Sequence, residues 1–570
     1  MDKQIKKLLL IFTVLVLVKS LLSYFIPSPS MFGDEYTFAK MAQSIFNEGS
    51  FSIHGFPTDK EPPLYPIILS LAYIFKDMTL VYTFMKIINS ILSSLIIFPA
   101  YFLTKEFLGD KKSLLASILI GVMPFSFVFP SIIMAENIYY TLILASLFFI
   151  YKSFTAKGYK YDILAGLFIG LSLLTKVIGT FIFLPMLIVF TYKLFKKDFY
   201  EIGKKTVMGL IFILTVLPWQ LRNISLFGFS FETLVGNPGG NVVKINSSFG
   251  FFKGLDFLSW NLLYLGFLIL GTAVIFFMMN FLIKKDNLTE NHKIFYLLSL
   301  GSIISIILIV SNLSLDVFMF ETLFPWLTDR PVGRYIDVVL PLIIIGGVIA
   351  YEKNNGRFKK IATFTSLILL FSSQLILFPL FPINNLSLTW IGVSKYIVEF
   401  LIFEKTSFET VFSSVSLIIF AVLFLIAPFL IYLIYKRLDL KKIIYVFMAF
   451  FIATSLIGYA TVYFNADKFW YDSDEMQLGL WFNDFDKGQS KVLIDSKYGG
   501  KITKAARENL YFGSKGRSFT IVGFFMNNKI KVGDESYFEE FDYFITKDKL
   551  ESPAIKEINN LRIYNIRELN

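Results

Sequence analysis

The chain has 570 residues, of which 55% are apolar and 17% charged, with a net charge of +11 and a mean hydropathy of +0.63. Soluble globular proteins average about 45–50% apolar and roughly 25% charged residues, so this composition indicates a membrane protein and excludes a disordered chain. The absence of cysteine excludes thiol catalysis and a disulfide scaffold. The only histidines are His54 and His292, which disfavours a histidine-based metal centre.

Long apolar segments follow one another from the N-terminus to residue 463. A membrane-spanning helix needs about 20 mostly apolar residues, and this criterion predicts about thirteen spans, within a range of roughly eleven to fourteen. Lys3, Lys6 and Lys7 precede the first segment, but no small-residue cleavage site follows it, so we expect an uncleaved span. The predicted spans are 8–27, 79–104, 113–131, 133–151, 162–175, 178–195, 206–221, 260–283, 294–312, 335–351, 361–382, 411–435 and 443–463.

Basic residues are concentrated in every second loop between these segments, for example at Lys111–Lys112, Lys196–Lys197 and Lys359–Lys360. Because cytoplasmic loops retain lysine and arginine, this pattern predicts a cytoplasmic N-terminus and an extracytoplasmic C-terminus. The positive charge is therefore used for membrane topology, which excludes a nucleic-acid partner and makes membrane lipids the expected surroundings. The Lys-, Ile- and Asn-rich, cysteine-free composition favours a prokaryotic cell membrane.

The composition changes abruptly after residue 463, where charged residues recur every few positions. We therefore divide the chain into a transmembrane module, 1–463, and a small extracytoplasmic α/β domain, 464–570. Ser473–Phe485 has a helical pattern with Ser473 as N-cap. We expect this domain to be a lid or to contact an acceptor. Its apolar runs of strand length are Lys491–Asp495, Phe519–Phe525, Asp542–Thr546 and Leu561–Ile566.

The first external loop, residues 28–78, contains two predicted helices that lie in the membrane interface. In Asp34–Phe46 apolar side chains occupy one helical face, and Lys40, Gln43, Ser44 and the following Asn47 occupy the other. The second helix begins at the Pro62–Pro63 pair, because proline is favoured in a first helical turn. The predicted fold is thus an all-α polytopic membrane protein with interfacial helices and a C-terminal α/β addition.

Three carboxylates stand at the starts of these helices: Asp34, Glu35 and Glu61. The exposed amides and the helix dipole stabilise such groups by roughly 0.3–1 kcal/mol, which is a sufficient structural reason for any one of them. Adjacent acids at a lipid boundary are nevertheless costly. A carboxylate held there could deprotonate an acceptor hydroxyl as a general base.

These residues resemble a known family. Gly33–Tyr36 with Ala39, followed by Glu61–Pro66, is similar to the first external loop of the GT-C membrane glycosyltransferases. The similarity is greatest to the protein O-mannosyltransferase and aminoarabinose (lipid A) transferase group. Three further segments match that group in the same order along residues 1–350, namely Ser131–Tyr139, Leu217–Asn223 and Arg330–Tyr335 with Pro341.

The resemblance implies a GT-C-like fold and transfer of a sugar from a polyprenyl-phosphate donor, such as dolichyl phosphate mannose, on the extracytoplasmic face with inversion. Carried over by position, Asp34 is the catalytic base, and Glu35 is its neighbour or the base itself if the register shifts by one. Glu61 matches an acid that lies near a divalent metal ion in some relatives. We expect His54, seven residues before Glu61, to be simply solvated. Glu136 could position an acceptor or a metal, or cap its helix.

A lipid-phosphate leaving group needs fixed cations near the outer membrane surface, and arginine can bind phosphate oxygens in a bidentate manner. Three arginines lie at outer ends of predicted spans, and Lys176 lies between two short apolar segments. Snorkelling to the interface or contact with phospholipid headgroups explains each of them equally simply. The candidate donor-phosphate ligands are Arg222, Arg330, Arg334 and Lys176.

Two other functions fit part of this pattern. A transporter or flippase of a lipid-linked or amphiphilic substrate would usually show internal repeats and ionisable groups near the bilayer midplane. We find no repeat, and the acids lie at the outer boundary. A non-catalytic assembly or receptor protein would use the C-terminal domain for binding and leave the first-loop acids unexplained. The identity of the sugar and of the acceptor, whether protein, glycan or lipid, stays open.

Overall fold

The computed structural model describes residues 3–29, 33–58, 61–230, 251–272, 275–282, 288–315, 333–353, 439–499 and 517–569. Its internal contacts divide the chain into two units. The first unit consists of Met1–Leu17, Ile91–Phe129 and Glu136–Gly458. The second unit consists of Val18–Ser90, Pro130–Ala135 and Tyr459–Asn570, so it contains both the first external loop and the C-terminal region.

Most of the described chain is helical. Up to residue 230 the helices are α1 Lys3–Tyr24, α2 Asp34–Glu48, α3 Leu64–Ser70, α4 Met78–Ser94, α5 Ile97–Lys105, α6 Asp110–Gly121, α7 Pro124–Phe127, α8 Glu136–Thr155, α9 Lys160–Leu173, α10 Phe183–Phe195 and α11 Phe199–Phe227. The later helices are α12 Phe251–Gly271, α13 Ile275–Met279, α14 Glu290–Leu313, α15 Gly333–Ile336, α16 Leu340–Lys353, α17 Leu440–Phe469, α18 Asp474–Asp486, α19 Ser496–Gly499 and α20 Arg517–Phe525.

Among the described residues, seven helical segments are long and apolar enough to cross a membrane, and an eighth is added if the bent pair at 110–131 forms one span. The helix axis bends by 68° between the two members of that pair. The predicted spans 361–382 and 411–435 lie outside the described residues. The apolar helical segments indicate an integral membrane protein. The number of thirteen spans stays a prediction. The seven segments are Met78–Lys105, Glu136–Thr155, Val177–Phe195, Gly203–Phe227, Glu290–Leu313, Gly333–Lys353 and Leu440–Lys468.

Glycines allow close helix packing within the first unit. A Cβ atom on Gly166 of α9 would lie 2.3 Å from the Met208 carbonyl oxygen of α11, and one on Gly170 would lie 2.6 Å from the Thr215 side chain. Helices in a membrane associate through such small-residue contacts, because lipid removes the hydrophobic drive between them. The four-residue glycine spacing therefore fixes α9 against α11.

The two helices predicted in the first external loop are present in the second unit. Helix α2 begins at Asp34, with two carboxylates in its first turn, and ends at Glu48. Gly49 caps its C-terminus in a left-handed conformation (φ 65°) and donates its N–H to the carbonyl oxygens of the last turns. Helix α3 begins at Leu64 after the proline pair and continues as a 3₁₀ turn through Leu71–Ile74. Between the two helices, strands β1 Ser52–Ile53 and β2 Phe56–Pro57 form an antiparallel hairpin.

The sequence pattern predicts that the polar face of α2 is exposed to water at the membrane interface. In the structure most of this face is buried. Lys40, Gln43 and Ser44 are buried, whereas Phe46 is 47% exposed. C-terminal residues of the same unit cover this face: the Lys40 ammonium donates a hydrogen bond to the Met526 carbonyl oxygen. The amphipathic pattern was correct, but its polar side contacts protein polar groups.

The C-terminal region contains a five-stranded sheet with the order β4-β3-β5-β7-β6. Strand β3 pairs in parallel with β4 and β5, and β7 pairs antiparallel with β5 and β6. Helix α18 begins after Ser473, whose hydroxyl accepts from the Met476 amide, so the predicted N-cap is confirmed. The strands are β3 Lys491–Asp495, β4 Lys529–Gly533, β5 Tyr543–Thr546, β6 Lys556–Ile558 and β7 Leu561–Asn565.

Three of the four predicted strands are confirmed, and the fourth is wrong. Residues Phe519–Phe525 form most of α20, a helix. Phe519, Ile521, Val522 and Phe525 are at most 2% exposed, so the helix is apolar around much of its circumference. A short continuous apolar run has no periodicity that separates a buried helix from a buried strand. The short strands β4 and β6 were not identified from the sequence.

Candidate active site

Asp34 and Glu35 are adjacent residues in the first turn of α2, but their side chains lie in different surroundings. Asp34 is partly exposed, whereas Glu35 is only 1% exposed. Successive helical side chains point about 100° apart, so neighbouring residues cannot share one environment. The two acids identified together in the sequence are therefore a partly accessible carboxylate and a buried one.

The Glu35 carboxylate binds the backbone of the segment Pro130–Ala135 in the second unit, where a 3₁₀ turn ends at Ser131 and irregular backbone follows up to α8. Its Oε2 accepts a hydrogen bond from the Ile133 amide at 2.9 Å. Buried backbone outside regular helices needs hydrogen-bond partners from the surrounding protein, because an unpaired buried amide or carbonyl is costly. Glu35 thus fixes this segment through a charge-assisted hydrogen bond.

Side chains from α3 and α4 hold the same segment. The Asn89 amide donates to the Ile132 carbonyl oxygen at 3.0 Å, and the Tyr65 hydroxyl donates to Asn89 Oδ1 at 2.8 Å. The Tyr82 hydroxyl donates to the Ser131 carbonyl oxygen at 3.4 Å. Three consecutive backbone groups, at residues 131, 132 and 133, are therefore bound by three different side chains.

Lys86 on α4 is a buried cation that the sequence analysis missed. Its ammonium donates to the Ile26 carbonyl oxygen at 2.5 Å and lies 4.3 Å from the centroid of the Tyr82 ring. The opposite charge of Glu35 attracts it electrostatically. The available signal was a lone lysine in the middle of the apolar run 79–104, because an ionisable residue inside a span is by default a functional candidate.

His54 is buried, and the expectation of a solvated loop histidine was wrong. Its Nδ1 lies 2.6 Å from the Asn528 carbonyl oxygen, and its ring packs near Tyr36 and Phe519. Because a carbonyl oxygen only accepts, Nδ1 carries the proton in this contact. Burial, together with the nearby Lys40 charge, lowers the pKa of His54 to about 3, so the ring is neutral at physiological pH.

The first unit contains a second buried carboxylate, Glu136, at the start of α8. Glu136 is 1% exposed, and its Oε1 forms an ion pair with the Lys176 ammonium. Arg334 of α15 approaches the same oxygen with its Nε at 3.5 Å. The structure therefore brings together three of the predicted site residues, one acid and two cations, with a combined charge of +1.

Aromatic side chains surround this cluster. The Tyr335 ring lies 4.6 Å from the Lys176 ammonium and 5.4 Å from the Arg334 guanidinium. The Tyr140 hydroxyl donates to the Arg334 carbonyl oxygen at 2.7 Å, which ties α15 to α8. Cation–π contacts of this kind help to hold the two cationic groups in place without neutralising them.

The other predicted site residues are placed as follows. Arg222 contacts its own helix, donating to Asn223 Oδ1 at 2.8 Å and lying 4.8 Å from the Trp219 ring. Glu61 is partly buried and precedes the first residue of α3 by three positions. Arg330 lies outside the described residues. The described part of the chain thus contains seven of the eight predicted site residues.

A divalent metal needs a set of oxygen or nitrogen ligands. Within the described residues, no three His, Asp or Glu side chains are grouped so that they could hold one. The metal role of Glu61 therefore stays a prediction.

Comparison with known proteins agrees with the resemblance. Residues 60–220 match the family model of dolichyl-phosphate-mannose-protein mannosyltransferases. No curated protein sequence matches the chain. The fold is similar to that of ArnT from Cupriavidus metallidurans bound to undecaprenyl phosphate, with a TM-score of 0.59, 12% identity and coverage of 93% of this chain and 86% of that one.

The same ArnT in its apo state gives a TM-score of 0.58 at 11% identity and covers 97% of each chain. The apo oligosaccharyltransferase of Archaeoglobus fulgidus reaches a TM-score of only 0.42 at 11% identity, covering 94% of this chain and 69% of that one. The resemblance to the GT-C glycosyltransferases is confirmed by the family match over 60–220 and by the ArnT fold over almost the whole chain.

Proposed function

We propose that the protein is an inverting glycosyltransferase that moves a sugar from a polyprenyl phosphate to an acceptor hydroxyl on the extracytoplasmic face of the membrane. The family match to mannosyltransferases and the fold shared with ArnT support transfer from a lipid-linked sugar. Fold alone does not determine function. The observation that carries the proposal is therefore the partly accessible Asp34 at the start of α2.

Asp34 acts as the general base in this proposal. Its carboxylate takes the proton of the acceptor hydroxyl while the hydroxyl oxygen attacks the anomeric carbon of the sugar. The bond from that carbon to the phosphate oxygen breaks, and its electron pair leaves with the polyprenyl phosphate. One displacement of this kind inverts the anomeric configuration. A base must reach the proton that it removes, which favours the partly exposed Asp34 over the buried Glu35.

Glu35 is then a positioning residue. Its carboxylate is already engaged with the Ile133 amide, so its role is to fix the segment Pro130–Ala135. The register alternative, in which Glu35 is the base, would require this buried charge to leave its hydrogen bond.

Lys176 and Arg334 are the best-supported ligands for the phosphate of the donor. Both contact Glu136, which neutralises one of the two charges and holds the cationic groups together. The phosphodiester of the donor carries one negative charge, the released polyprenyl phosphate carries up to two, and both accept several charge-assisted hydrogen bonds. Glu136 therefore orders the two cationic groups near the position proposed for the leaving group. We assign Arg222 and Arg330 as further phosphate ligands by their position at outer span ends.

The orientation follows the charge pattern: a cytoplasmic N-terminus and an extracytoplasmic region 464–570, in a prokaryotic cell membrane. The acceptor is a hydroxyl of a protein, a glycan or a lipid. Glu61 could supply one oxygen to a divalent metal ion, and no step above depends on that ion.

The test is a transfer assay with the purified protein, a panel of polyprenyl-phosphate sugars and acceptors that present protein, glycan or lipid hydroxyls. Release of polyprenyl phosphate is measured by chromatography, and the anomeric configuration of the product by NMR. The proposal predicts release with at least one sugar and an inverted product. A retained configuration would refute single displacement by an Asp34 base. Absence of release with every donor, combined with passage of intact donor through proteoliposomes, would instead establish the transporter alternative.

A further inference from the structure

The turn Met526–Asn528, which connects α20 to β4, contacts the first external loop through each of its three residues. The Lys40 ammonium donates to the Met526 carbonyl oxygen at 2.7 Å. The Gln43 amide donates to Asn527 Oδ1, and His54 donates from Nδ1 to the Asn528 carbonyl oxygen at 2.6 Å. All these residues belong to the second unit, so one short turn binds both α2 and the β1–β2 hairpin.

The turn is itself held from its other side. Asn528 is fully buried, and its side-chain amide donates to Asp486 Oδ2 at 2.6 Å and to the Ser490 carbonyl oxygen at 2.9 Å. These groups lie at and just after the end of α18. A turn that is hydrogen-bonded on both sides resists displacement. Through it, the C-terminal region can fix the position of α2.

Lys40 is the residue of this contact whose burial costs the most free energy. Its side chain is 1% exposed, and its ammonium donates to the Gln43 side-chain oxygen at 2.9 Å as well as to Met526. Burial lowers the pKa of Lys40 well below its usual value. An apolar residue of similar volume would fill this place without the cost of desolvating an amine. A polar group at this position therefore requires a reason beyond packing.

Helix α20 supports the same residues by close backbone approach. A Cβ atom on Gly523 would lie 3.1 Å from Cε2 of Tyr36 and 3.2 Å from Nε2 of His54. Tyr36 follows Glu35 in the first turn of α2, so this close approach connects α20 to that turn. Glycine at this site lets the two segments pack without pushing Tyr36 aside.

From these contacts we propose that Lys40 is a positioning residue, and that the turn Met526–Asn528 is a fixed support that sets the geometry of Asp34. Lys40 lies six residues from Asp34 on the same helix, a distance of about 9 Å along its axis. A displacement of about 1 Å at a reacting group can cost on the order of a hundredfold in rate. The C-terminal region thus belongs to the catalytic scaffold, and this inference rests on the proposed function.

The first test compares Lys40→Met with Lys549→Met, which removes an exposed lysine of the same unit. We expect Lys40→Met to lower kcat by about tenfold or more with little change in the KM for the donor, and to raise hydrogen exchange across residues 34–58. Lys549→Met should change neither. Increased hydrogen exchange in Lys40→Met with an unchanged kcat would overturn the positioning role. Unchanged hydrogen exchange in this variant would overturn it as well.

A second test does not depend on removing Lys40. Gly523→Ala adds one methyl group against Tyr36 and His54 from the α20 side, and we expect the same loss of kcat with the donor KM preserved. A kcat equal to that of the wild-type protein, in a variant whose crystal or cryo-EM structure has a displaced Tyr36, would contradict the proposal.

A reversible cross-link distinguishes a fixed support from a moving lid. The chain has no cysteine, so Gln43→Cys/Asn527→Cys can be bridged specifically by a short bis-methanethiosulfonate reagent. A fixed support predicts that bridging changes kcat by less than about twofold relative to the unbridged double variant. Loss of activity on bridging and its recovery on reduction would overturn the proposal and establish a lid.

A failure of the proposed function can be distinguished from a failure of the positioning role of Lys40. If the wild-type protein releases no polyprenyl phosphate from any donor, the glycosyltransferase assignment is refuted. The hydrogen-exchange comparison of Lys40→Met with Lys549→Met needs no substrate and still decides whether the turn holds α2.

Discussion

The two units of the protein hold their buried carboxylates in different ways. In the second unit, Glu35 binds a backbone amide, and Lys40 and Lys86 bind backbone carbonyl oxygens. In the first unit, buried carboxylates bind cationic side chains: Glu136 binds Lys176 and Arg334, and Asp162 binds Lys205 at 2.6 Å, while the Lys205 ammonium also donates to the Ser153 carbonyl oxygen at 2.7 Å. A charge bound to the backbone fixes the course of the chain. A charge bound to a counter-charge can exchange that partner for an anionic substrate.

This difference matches the roles proposed for the two regions. A general base needs a fixed position relative to the proton that it removes. A phosphate site needs cations that stay ordered before the ligand binds and can turn toward it afterwards.

The largest effect is expected at Asp34. We expect Asp34→Asn to lower kcat by roughly 10²–10⁴, because the amide cannot accept the proton of the acceptor. Glu35→Gln is the matched control, since its amide oxygen can still accept from Ile133. Release of polyprenyl phosphate under saturating donor measures both. A larger loss in Glu35→Gln than in Asp34→Asn would assign the base to Glu35.

The second effect concerns the ion pairs around Glu136. Removing one partner of a buried pair costs about 3–5 kcal/mol, because the remaining charges lose their compensation. We expect Glu136→Gln to lower the unfolding free energy by about 3 kcal/mol, measured as thermal unfolding in detergent. The double variant Glu136→Gln/Lys176→Met should recover part of that loss. Full additivity of the two changes would show that the pair is not coupled.

The third effect concerns the backbone-bound carboxylate. Glu35→Gln replaces a charge-assisted hydrogen bond by a neutral one, and we expect a loss of about 1 kcal/mol in stability. Glu35→Ala leaves the buried Ile133 amide without an acceptor and should cost about 1–3 kcal/mol. Hydrogen exchange at residues 131–133 provides the local measurement. Equal exchange in the two variants would contradict a hydrogen-bonding role for this side chain.

The smallest effect at neutral pH is expected at His54. Its folded pKa of about 3 lies below the usual 6.5, so the unfolded chain binds the extra proton between these values. The burial of neutral His54 therefore costs no stability from protonation above about pH 6.5. As pH falls below that value, the free energy of unfolding decreases by up to about 1.4 kcal/mol per pH unit.

His54→Asn separates this contribution from general acid unfolding. Asparagine keeps a donor for the Asn528 carbonyl oxygen and tolerates the left-handed conformation of residue 54 (φ 50°). We expect it to unfold at the same temperature as the wild-type protein at pH 7.5 and at a higher temperature at pH 5. Parallel pH curves for the two proteins would disprove the assignment.

The sequence predicted the regular features of the fold, because these depend on local pattern. Apolar length predicted the spanning helices, and the acid and proline positions predicted where α2 begins and where α3 follows. Ser473 predicted the start of α18. The apolar run at 519–525 could not be assigned in this way, because its burial as a helix depends on α18 and α2, which are distant in sequence.

The same limit applies to the site. The sequence identified Asp34, Glu136, Lys176 and Arg334, and it could not separate Asp34 from Glu35. That separation depends on the Ile133 amide, nearly a hundred residues later in the chain. The burial of Lys40 and His54 was missed for the same reason, since each binds a backbone carbonyl oxygen that leaves no residue-type signal. Lys86 was visible as a lone lysine in an apolar run, but its backbone partner was not.

The most direct measurement follows a labelled polyprenyl-phosphate sugar in proteoliposomes and records both its chemical breakdown and its passage across the bilayer. The account predicts that the wild-type protein releases polyprenyl phosphate and that Asp34→Asn does so at least a hundredfold more slowly. Passage of intact donor at equal rates in both proteins, without release of polyprenyl phosphate, would contradict it.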